Sequence, residues 1–112
     1  MEVVSSETID GTEAIEKVFL KQLAGGDEMS LQHFRLEPGS TVPEHSHHHE
    51  QLGYIVSGRA VFITDGKEVV VGPGDSYALE SNEPHRVENR DDVDVIGVDV
   101  FSPPRENPDW QE

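Results

Sequence analysis

Two stretches of the chain decide its fold: residues 39–58, GSTVPEHSHHHEQLGYIVSG, and residues 74–89, GDSYALESNEPHRVEN. In the first stretch, glycine and polar residues recur at intervals of five, one, three and six residues: Gly39, His45, His47, Gln51 and Gly58. In the second stretch the intervals are five, one, two and three residues: Gly74, Glu80, Asn82, His85 and Asn89. The 15 residues between them contain Asp65-Gly66, a dipeptide that favours a two-residue β-hairpin. The two stretches are therefore interpreted as halves of one unit.

Short valine-rich runs surround these stretches and predict an all-β fold. Turn residues separate the runs, for example Gly25-Gly26-Asp27 and Pro73-Gly74-Asp75. We predict eight strands, over residues 17–23, 30–36, 51–56, 60–64, 68–71, 76–79, 85–88 and 93–101. Eight short strands at this spacing favour a sandwich or a barrel. A short helix over residues 13–23 is the alternative for that segment.

The length of 112 residues predicts one domain, over residues 1–112. Residues 1–17 are weakly patterned and are expected to form an edge strand or a loose arm. Residues 102–112 are expected to be a tail, because Pro103 and Pro104 cannot continue a ladder. No apolar run approaches the ~20 residues that span a bilayer, and the N-terminus lacks the features of a signal peptide. We therefore expect a cytoplasmic protein.

The charge balance and the absence of cysteine exclude several classes of function. The chain has 8 Lys and Arg against 23 Asp and Glu, a net charge of −15. Nucleic acids and anionic membranes repel such a chain, so we expect neither as a partner. Without cysteine there are no disulfides and no thiolate metal ligands. The acidic excess fits either ordinary solubility or a halophilic source, where salt screens self-repulsion.

Four of the six histidines lie within five residues: His45, His47, His48 and His49. On a strand, His45 and His47 point to the same face, because side chains alternate. Imidazole suits Zn, Fe, Ni and Cu, and oxygen ligands extend the choice to Mn. Glu50 or Gln51 can supply a third ligand, and His85 is a candidate from the second stretch. The alternative is a solvated loop or a non-specific metal-binding patch.

The two stretches resemble the paired motifs of the cupin superfamily, small jelly-roll-like barrels of the double-stranded β-helix type. The first stretch departs from that pattern at Gln51, where most cupins carry Glu. The second departs at Glu80 and Asn82, where Pro and Gly are usual, although Asn tolerates a left-handed backbone. The resemblance implies a divalent ion (Ni, Zn, Mn or Fe) inside the barrel, with four ligands: His45, His47, Gln51 and His85.

Two runs, residues 47–54 (HHHEQLGY) and 99–106 (DVFSPPRE), are similar to those of small cupins of the pectin degradation protein KdgF type. That resemblance implies a metal-dependent enzyme that opens ring-form 4,5-unsaturated uronates, from pectin or alginate, to the linear keto form. It also implies a small anionic sugar as substrate and catalytic roles for Asp99, Phe101 and Arg105. A different metal-dependent enzyme, such as a dioxygenase or a lyase, and a non-catalytic sugar- or metabolite-binding protein are the alternatives.

The chemistry of these side chains fits such roles. Asp99 can move a proton, and Arg105 can hold a carboxylate through paired hydrogen bonds. Alternation in the strand over 93–101 places Asp99 on one face with four neighbours: Val93, Val95, Gly97 and Phe101. Asp99 is therefore expected to point into the barrel. The alternatives are a solvated Asp99, an Arg105 paired with Glu106, and a Phe101 that only packs.

Three further expectations concern packing and assembly. Tyr54 and Tyr77 are interpreted as barrel packing, and His33 as a structural histidine. Small cupins are commonly dimers that pack or exchange N-terminal strands. The resemblance therefore implies a homodimer in which residues 1–17 take part.

Overall fold

The computed structural model describes residues 1–105, which form mainly antiparallel strands. Within that range, a short 3-10 helix (Ser6–Thr8) precedes ten strands: β1 (Thr12–Ile15), β2 (Val18–Gly25), β3 (Ser30–Leu36), β4 (Thr41–His45), β5 (Glu50–Ser57), β6 (Ala60–Thr64), β7 (Lys67–Val71), β8 (Ser76–Leu79), β9 (His85–Glu88) and β10 (Val95–Ser102). They form a six-stranded sheet, in the order β1-β2-β3-β10-β5-β8, and a four-stranded sheet, in the order β4-β9-β6-β7. The predicted all-β class is confirmed.

β4 is absent from the prediction, whereas β1 lies in the segment that was expected to form an edge strand or a loose arm. Both strands lie at sheet edges. β4 contains Pro43, pairs only with β9 within residues 1–105, and shifts register between Val42 and His45. An irregular edge strand tolerates proline, because a donor facing away from the sheet is not needed. β1 pairs with β2 across a turn at Lys17, whose φ is 66°. The helix considered for residues 13–23 is therefore wrong.

The apolar core lies between the two sheets. Its buried members come from both of them: Val18, Phe34, Leu36, Ile55, Ala60, Phe62, Val71, Leu79, Val87 and Val95. Along β10, burial alternates, and Val95, Gly97, Asp99 and Phe101 are the buried residues. Asp99 therefore points into the barrel, as the alternation predicted. The inward-facing residues of β10 begin with Val95 in the apolar core and continue to Asp99, a buried polar residue. The polar groups described below therefore lie toward one end of the barrel.

Two turns follow the predicted backbone chemistry. β6 and β7 pair from Ala60 and Val71 to Thr64 and Lys67, so the Asp65-Gly66 hairpin is confirmed. The φ angles of Asp65 and Gly66 are 50° and 71°, as a type I′ turn requires. Asn82 has a φ of 65° and takes the left-handed conformation that glycine usually supplies.

None of the helices within residues 1–105 is long and apolar enough to cross a membrane. The sequence predicted a tail over residues 102–112, of which residues 106–112 lie outside the described part of the chain.

Candidate active site

Three histidines converge where the two motif stretches meet. Antiparallel pairing of β4 with β9 sets His45 opposite His85, and His47 follows shortly after β4. One ligand nitrogen from each ring lies within 4.8 Å of the other two. The ring centroids of His45 and His85 are 4.3 Å apart, and those of His47 and His85 are 5.4 Å apart. The spacing of the two stretches therefore predicted correctly that these three side chains come together.

Backbone carbonyls fix the orientation of all three rings. The Nδ1 atom of His45 lies 3.0 Å from the carbonyl oxygen of Pro43, and that of His85 lies 2.9 Å from the carbonyl oxygen of Glu83. The Nδ1 atom of His47 lies 3.0 Å from the carbonyl oxygen of His49. A carbonyl can only accept, so each Nδ1 donates and each Nε2 presents a lone pair. This orientation is typical of metal-ligating histidines.

Protonation does not compete strongly for these lone pairs at neutral pH. Burial, the largest cause, lowers the pKa of His85 to about 4. Burial also lowers the pKa of His47, against the raising effect of its hydrogen bond to the backbone of His49. Both rings are therefore neutral near pH 7. A neutral imidazole is the form that binds a metal ion.

Gln51 completes the group from β5. Its side chain is buried, and its Oε1 lies 3.1 Å from the Nε2 of His47. Its amide also hydrogen-bonds to the carboxylate of Asp99, which can only accept from it. The Gln51 oxygen and the His47 lone pair therefore face each other as two acceptors. A cation bound by both atoms satisfies both of them. Two neighbouring ligand atoms that each lie about 2.1 Å from one metal ion are about 3 Å apart, which matches the observed separation. These residues fit a divalent metal ion.

Glu50, the other sequence candidate, does not join this group. Burial along β5 alternates, so that Gln51 is buried and Glu50 is exposed on the opposite face. His48 and His49 stack on each other, with ring centroids 4.1 Å apart. Neither of them belongs to the three-histidine group within residues 1–105. The structure therefore offers three imidazoles and one amide oxygen as donors, all of them neutral.

A buried carboxyl lies beside the histidine group. Asp99 is 6% exposed, and the hydroxyl of Tyr77 donates to its Oδ1 at 2.5 Å. Burial raises the pKa of Asp99 to about 6, although hydrogen bonds from Tyr77 and Gln51 and the charge of Arg105 act to lower it. The pKa of Tyr77 is raised by burial and by the adjacent Asp99. Tyr77 therefore stays protonated and acts as a donor.

Tyr77 reaches Asp99 because an intervening residue has no side chain. Gly53 on β5 pairs with Asp99 on one side and with Tyr77 of β8 on the other. A Cβ atom on Gly53 would overlap the ring carbons and the hydroxyl of Tyr77. The phenol of Tyr77 therefore extends from β8 across Gly53 of β5 and reaches Asp99 on β10. The interpretation of Tyr77 as packing alone missed this contact, whose only sequence signal is a glycine at the matching register.

Phe101 and Arg105 form the side of the site next to the histidines. Phe101 is 1% exposed, and its ring centroid lies 5.6 Å from that of His47. The guanidinium of Arg105 lies 4.9 Å from the centroid of the Phe101 ring. The backbone N–H of Arg105 donates to Ser30 Oγ at 2.8 Å, and its carbonyl accepts from Gln22 Nε2 at 3.0 Å. These bonds hold the segment after β10 against the six-stranded sheet.

All of these groups except His47 line one cavity of about 440 Å³. Eight polar side chains line it: Gln32, Glu44, His45, Gln51, Tyr77, His85, Asp99 and Arg105. The remainder of its lining is largely apolar and includes Phe34, Phe62 and Leu36. A cavity of this size, apolar with a few convergent polar groups, is typical of a small-molecule site.

Some residues considered in the sequence lie elsewhere. Tyr54 is 47% exposed on the outer face of β5, so its interpretation as barrel packing is wrong. His33 is half-buried on the outer face of β3, beside Lys21 and Arg35. Glu106, the proposed partner of Arg105, lies outside the described residues.

A family model for the cupin domain matches residues 32–101. The chain belongs to the cupin family. The matched residues contain all four candidate metal ligands together with Asp99 and Phe101, so the histidine group occupies the part of the chain that defines this cupin.

Individual relatives point to small cupins. The cupin is 27% identical, over 86 residues, to pectin degradation protein KdgF of Dickeya dadantii, covering 76% of this chain and 77% of that protein. It is 39% identical, over 62 residues, to an oxalate-binding protein of Thermotoga maritima, covering 54% of this chain and about half of that protein (51%). The structure of KdgF from Halomonas sp. superposes with a TM-score of 0.88 at 21% identity, covering 96% of this cupin and 97% of that chain. The predicted resemblance to KdgF-type cupins is confirmed.

Proposed function

We propose that this cupin is a cytoplasmic, metal-dependent enzyme that converts ring-form 4,5-unsaturated uronates to the linear keto form. One observation carries the proposal: the buried carboxyl of Asp99 lies in the same cavity as His45, His85 and Arg105. The similarity to a protein named for pectin degradation supports sugar acids as the substrate class.

The reaction is an isomerisation and needs no co-reactant. The anomeric hydroxyl loses its proton, and its oxygen becomes the C1 carbonyl as the bond between C1 and the ring oxygen breaks. The ring oxygen keeps the electron pair of that bond and becomes an enolate oxygen on C5. A proton added at C4 then gives the C5 ketone. The enzyme therefore has to move one proton, from a hydroxyl to a carbon, and hold the uronate carboxylate.

Asp99 is the group that moves the proton in this proposal. With a pKa of about 6, it is mainly ionised at pH 7 but is readily protonated. Its carboxylate takes the anomeric proton and then supplies a proton to C4. The Tyr77 hydroxyl and the Gln51 amide hold the carboxylate in place while it does so.

Arg105 binds the uronate carboxylate. A guanidinium forms two parallel hydrogen bonds with a carboxylate, which fixes both position and orientation. Phe101 lies beneath the guanidinium and limits its movement. A fixed cation inside the cavity also offsets the net charge of −15, which otherwise repels an anionic sugar.

His45, His47, Gln51 and His85 would hold the divalent ion, which we propose is Ni, Zn, Mn or Fe. When bound, the ion polarises oxygen atoms of the sugar as a Lewis acid, and its neutral ligands leave its charge undiminished. Of these side chains, Gln51 connects the ligand group to Asp99, because its amide contacts both His47 and the carboxylate.

Ultraviolet absorbance tests the proposal directly, because the product lacks the conjugated C4=C5 bond. Unsaturated monomers from pectin and from alginate are incubated with metal-loaded protein and with buffer alone. We expect the absorbance to fall faster with protein, the acceleration to be lost with chelator, and Asp99→Ala and Arg105→Ala to lose it as well. Val69→Ala, at an exposed position on β7, is the matched control.

Absence of acceleration with confirmed metal content contradicts the proposal. Oxygen uptake by the Fe(II)-loaded protein would then point to a dioxygenase. Tight binding of an unchanged sugar, without turnover, would point to a non-catalytic binding protein.

A further inference from the structure

Gln32 is a buried polar residue that the proposed reaction does not use. It lies on the inward face of β3, is 7% exposed and lines the cavity. Strand pairing places it directly opposite Asp99 on β10 and opposite Gln22 on β2. Side chains that are directly opposite on antiparallel strands have Cβ atoms about 5 Å apart. The Gln32 side chain therefore enters the cavity from the position next to Asp99.

The Gln32 amide makes no side-chain hydrogen bond within residues 1–105, unlike Gln22 on the neighbouring strand and Gln51 in the cavity wall. Gln22 donates to the carbonyl oxygen of Arg105, and Gln51 contacts His47 and Asp99. Its polar atoms are not among the fully buried, unpartnered side-chain atoms of the described residues, so they are accessible from the cavity. Because Gln32 opens onto the cavity, a bound molecule can supply the missing partner.

We propose that Gln32 recognises a hydroxyl group of the sugar that does not react. An amide both donates and accepts, so it matches a hydroxyl, or a pair of neighbouring hydroxyls, without adding charge beside Asp99. Because Gln32 is paired opposite Asp99 and lines the same cavity, a sugar held at Asp99 brings its other hydroxyl groups within reach of this amide. Gln32 thus selects hydroxylated sugar rings over deoxygenated ones. This inference rests on the proposed function for the identity of the sugar.

The expected effect of Gln32→Leu separates a ligand-binding role from a structural one. Leucine has a similar size and no polar atoms, so it removes the unpaired amide and fills the same space. The ligand-free variant should melt at the same temperature as the wild type or higher. The hydrogen bond to the sugar is lost, so KM should rise roughly ten- to hundredfold while kcat changes little.

The experiment compares wild type, Gln32→Leu and the control His33→Gln, which alters the neighbouring residue on the outer face of β3. Steady-state kinetics give KM and kcat, and calorimetry gives the melting temperature without ligand. A raised KM with an unchanged or raised melting temperature supports the proposal. An unchanged KM overturns it, and so does a strongly lowered melting temperature, because the amide would then be a structural group.

A binding measurement distinguishes failure of this inference from failure of the proposed function. If the wild type does not turn over unsaturated uronates, titration calorimetry with galacturonate, a saturated uronate, replaces the kinetics. Weaker binding by Gln32→Leu than by the wild type supports the role of Gln32 even though the activity proposal has failed. Equal binding by the two proteins, or no binding by either, overturns it.

Discussion

At the scale of single residues, Asp99 joins two features that usually exclude each other. It is buried deeply enough to raise its pKa to about 6, yet it accepts hydrogen bonds from Tyr77 and Gln51. The bonds keep the ionised form accessible, and the burial keeps the protonated form within reach of neutral pH. A group that moves a proton in both directions needs both forms.

We predict that Asp99→Asn flattens the pH dependence of stability in chelator-treated protein. The folded-state pKa of about 6 exceeds the ordinary value of 3.8, so the folded chain binds this proton more tightly than the unfolded chain. The contribution of this group is complete below pH 3.8 and is lost as the pH rises toward 6, by about 3 kcal/mol. The melting temperature of the variant minus that of the wild type should therefore increase across this range. A constant difference contradicts the prediction.

We predict that Tyr77→Phe lowers kcat/KM by roughly tenfold or more, because it removes a charge-assisted hydrogen bond from the Asp99 carboxylate. Loss of this donor also raises the pKa of Asp99, so the acidic limb of the pH–rate profile should move to higher pH. Tyr54→Phe is the control, since Tyr54 lies on the outer face of β5. Full activity with an unshifted profile would show that the hydroxyl is not needed.

Sequence spacing predicted the histidine group but not the Tyr77 contact, and the reason is physical. His45 and His85 meet because two motif strands pair, and the spacing of each motif fixes which residues face the barrel. Tyr77 reaches Asp99 across a third strand, so its role depends on the register of β5 against both neighbours. Register is a property of the assembled sheet and cannot be obtained from one strand alone.

At the scale of strands, the sequence pattern was weakest for the edge strands β1 and β4. β1 and β4 lie at edges and are short, and β4 carries Pro43. Edge strands need neither a full ladder nor a continuous apolar face, so the valine alternation that predicts a central strand is weak there. β10, between β3 and β5, has the strong pattern and was predicted to within two residues at its start.

We predict that Gly53→Ala destabilises the fold by about 2 kcal/mol or more and abolishes the Tyr77–Asp99 hydrogen bond. The added methyl group occupies the space through which the phenol passes, so the ring must leave its position. Thermal unfolding and the pH–rate profile measure the two effects. Gly26→Ala, where a methyl group meets only one atom at 3.9 Å, should be nearly neutral. Equal melting temperatures for Gly53→Ala and the wild type would contradict the proposed role of Gly53.

At the scale of the whole molecule, one sheet face exposes apolar side chains in a chain whose net charge is −15. The outer face of β5 exposes Leu52, Tyr54 and Val56, and the half-buried Val98 and Val100 of β10 pair beside the first two. Here this set is called the outer patch. A chain with a net charge of −15 repels its own copies, so self-association needs a face without acidic groups. The five side chains of the outer patch are uncharged, and one acidic residue, the exposed Glu50, lies on the same face at the start of β5. The expectation of a halophilic source stays a prediction.

The sequence predicted a homodimer in which residues 1–17 take part. From the exposed apolar side chains of the structure, we predict instead that the dimer forms through the outer patch. Light scattering should give about twice the 12.4 kDa chain mass, and the dimer should weaken at low salt as repulsion grows. Tyr54→Glu should give a monomer, while Val69→Glu, a matched exposed position on β7, should not. A wild-type monomer contradicts the dimer. A dimer that persists in Tyr54→Glu places the interface elsewhere, for example at residues 1–17.

The Tyr77–Asp99 contact also gives the protein an internal optical reporter. The chain has two tyrosines, and one of them, Tyr54, is exposed on the outer patch. The other is held against a carboxylate inside the cavity, so its near-ultraviolet absorption and circular dichroism respond to whatever enters there. Because the chain also has one tryptophan, Trp110, a variant with both Tyr54→Phe and Trp110→Phe would isolate that signal. Occupancy of the cavity could then be followed without any added label.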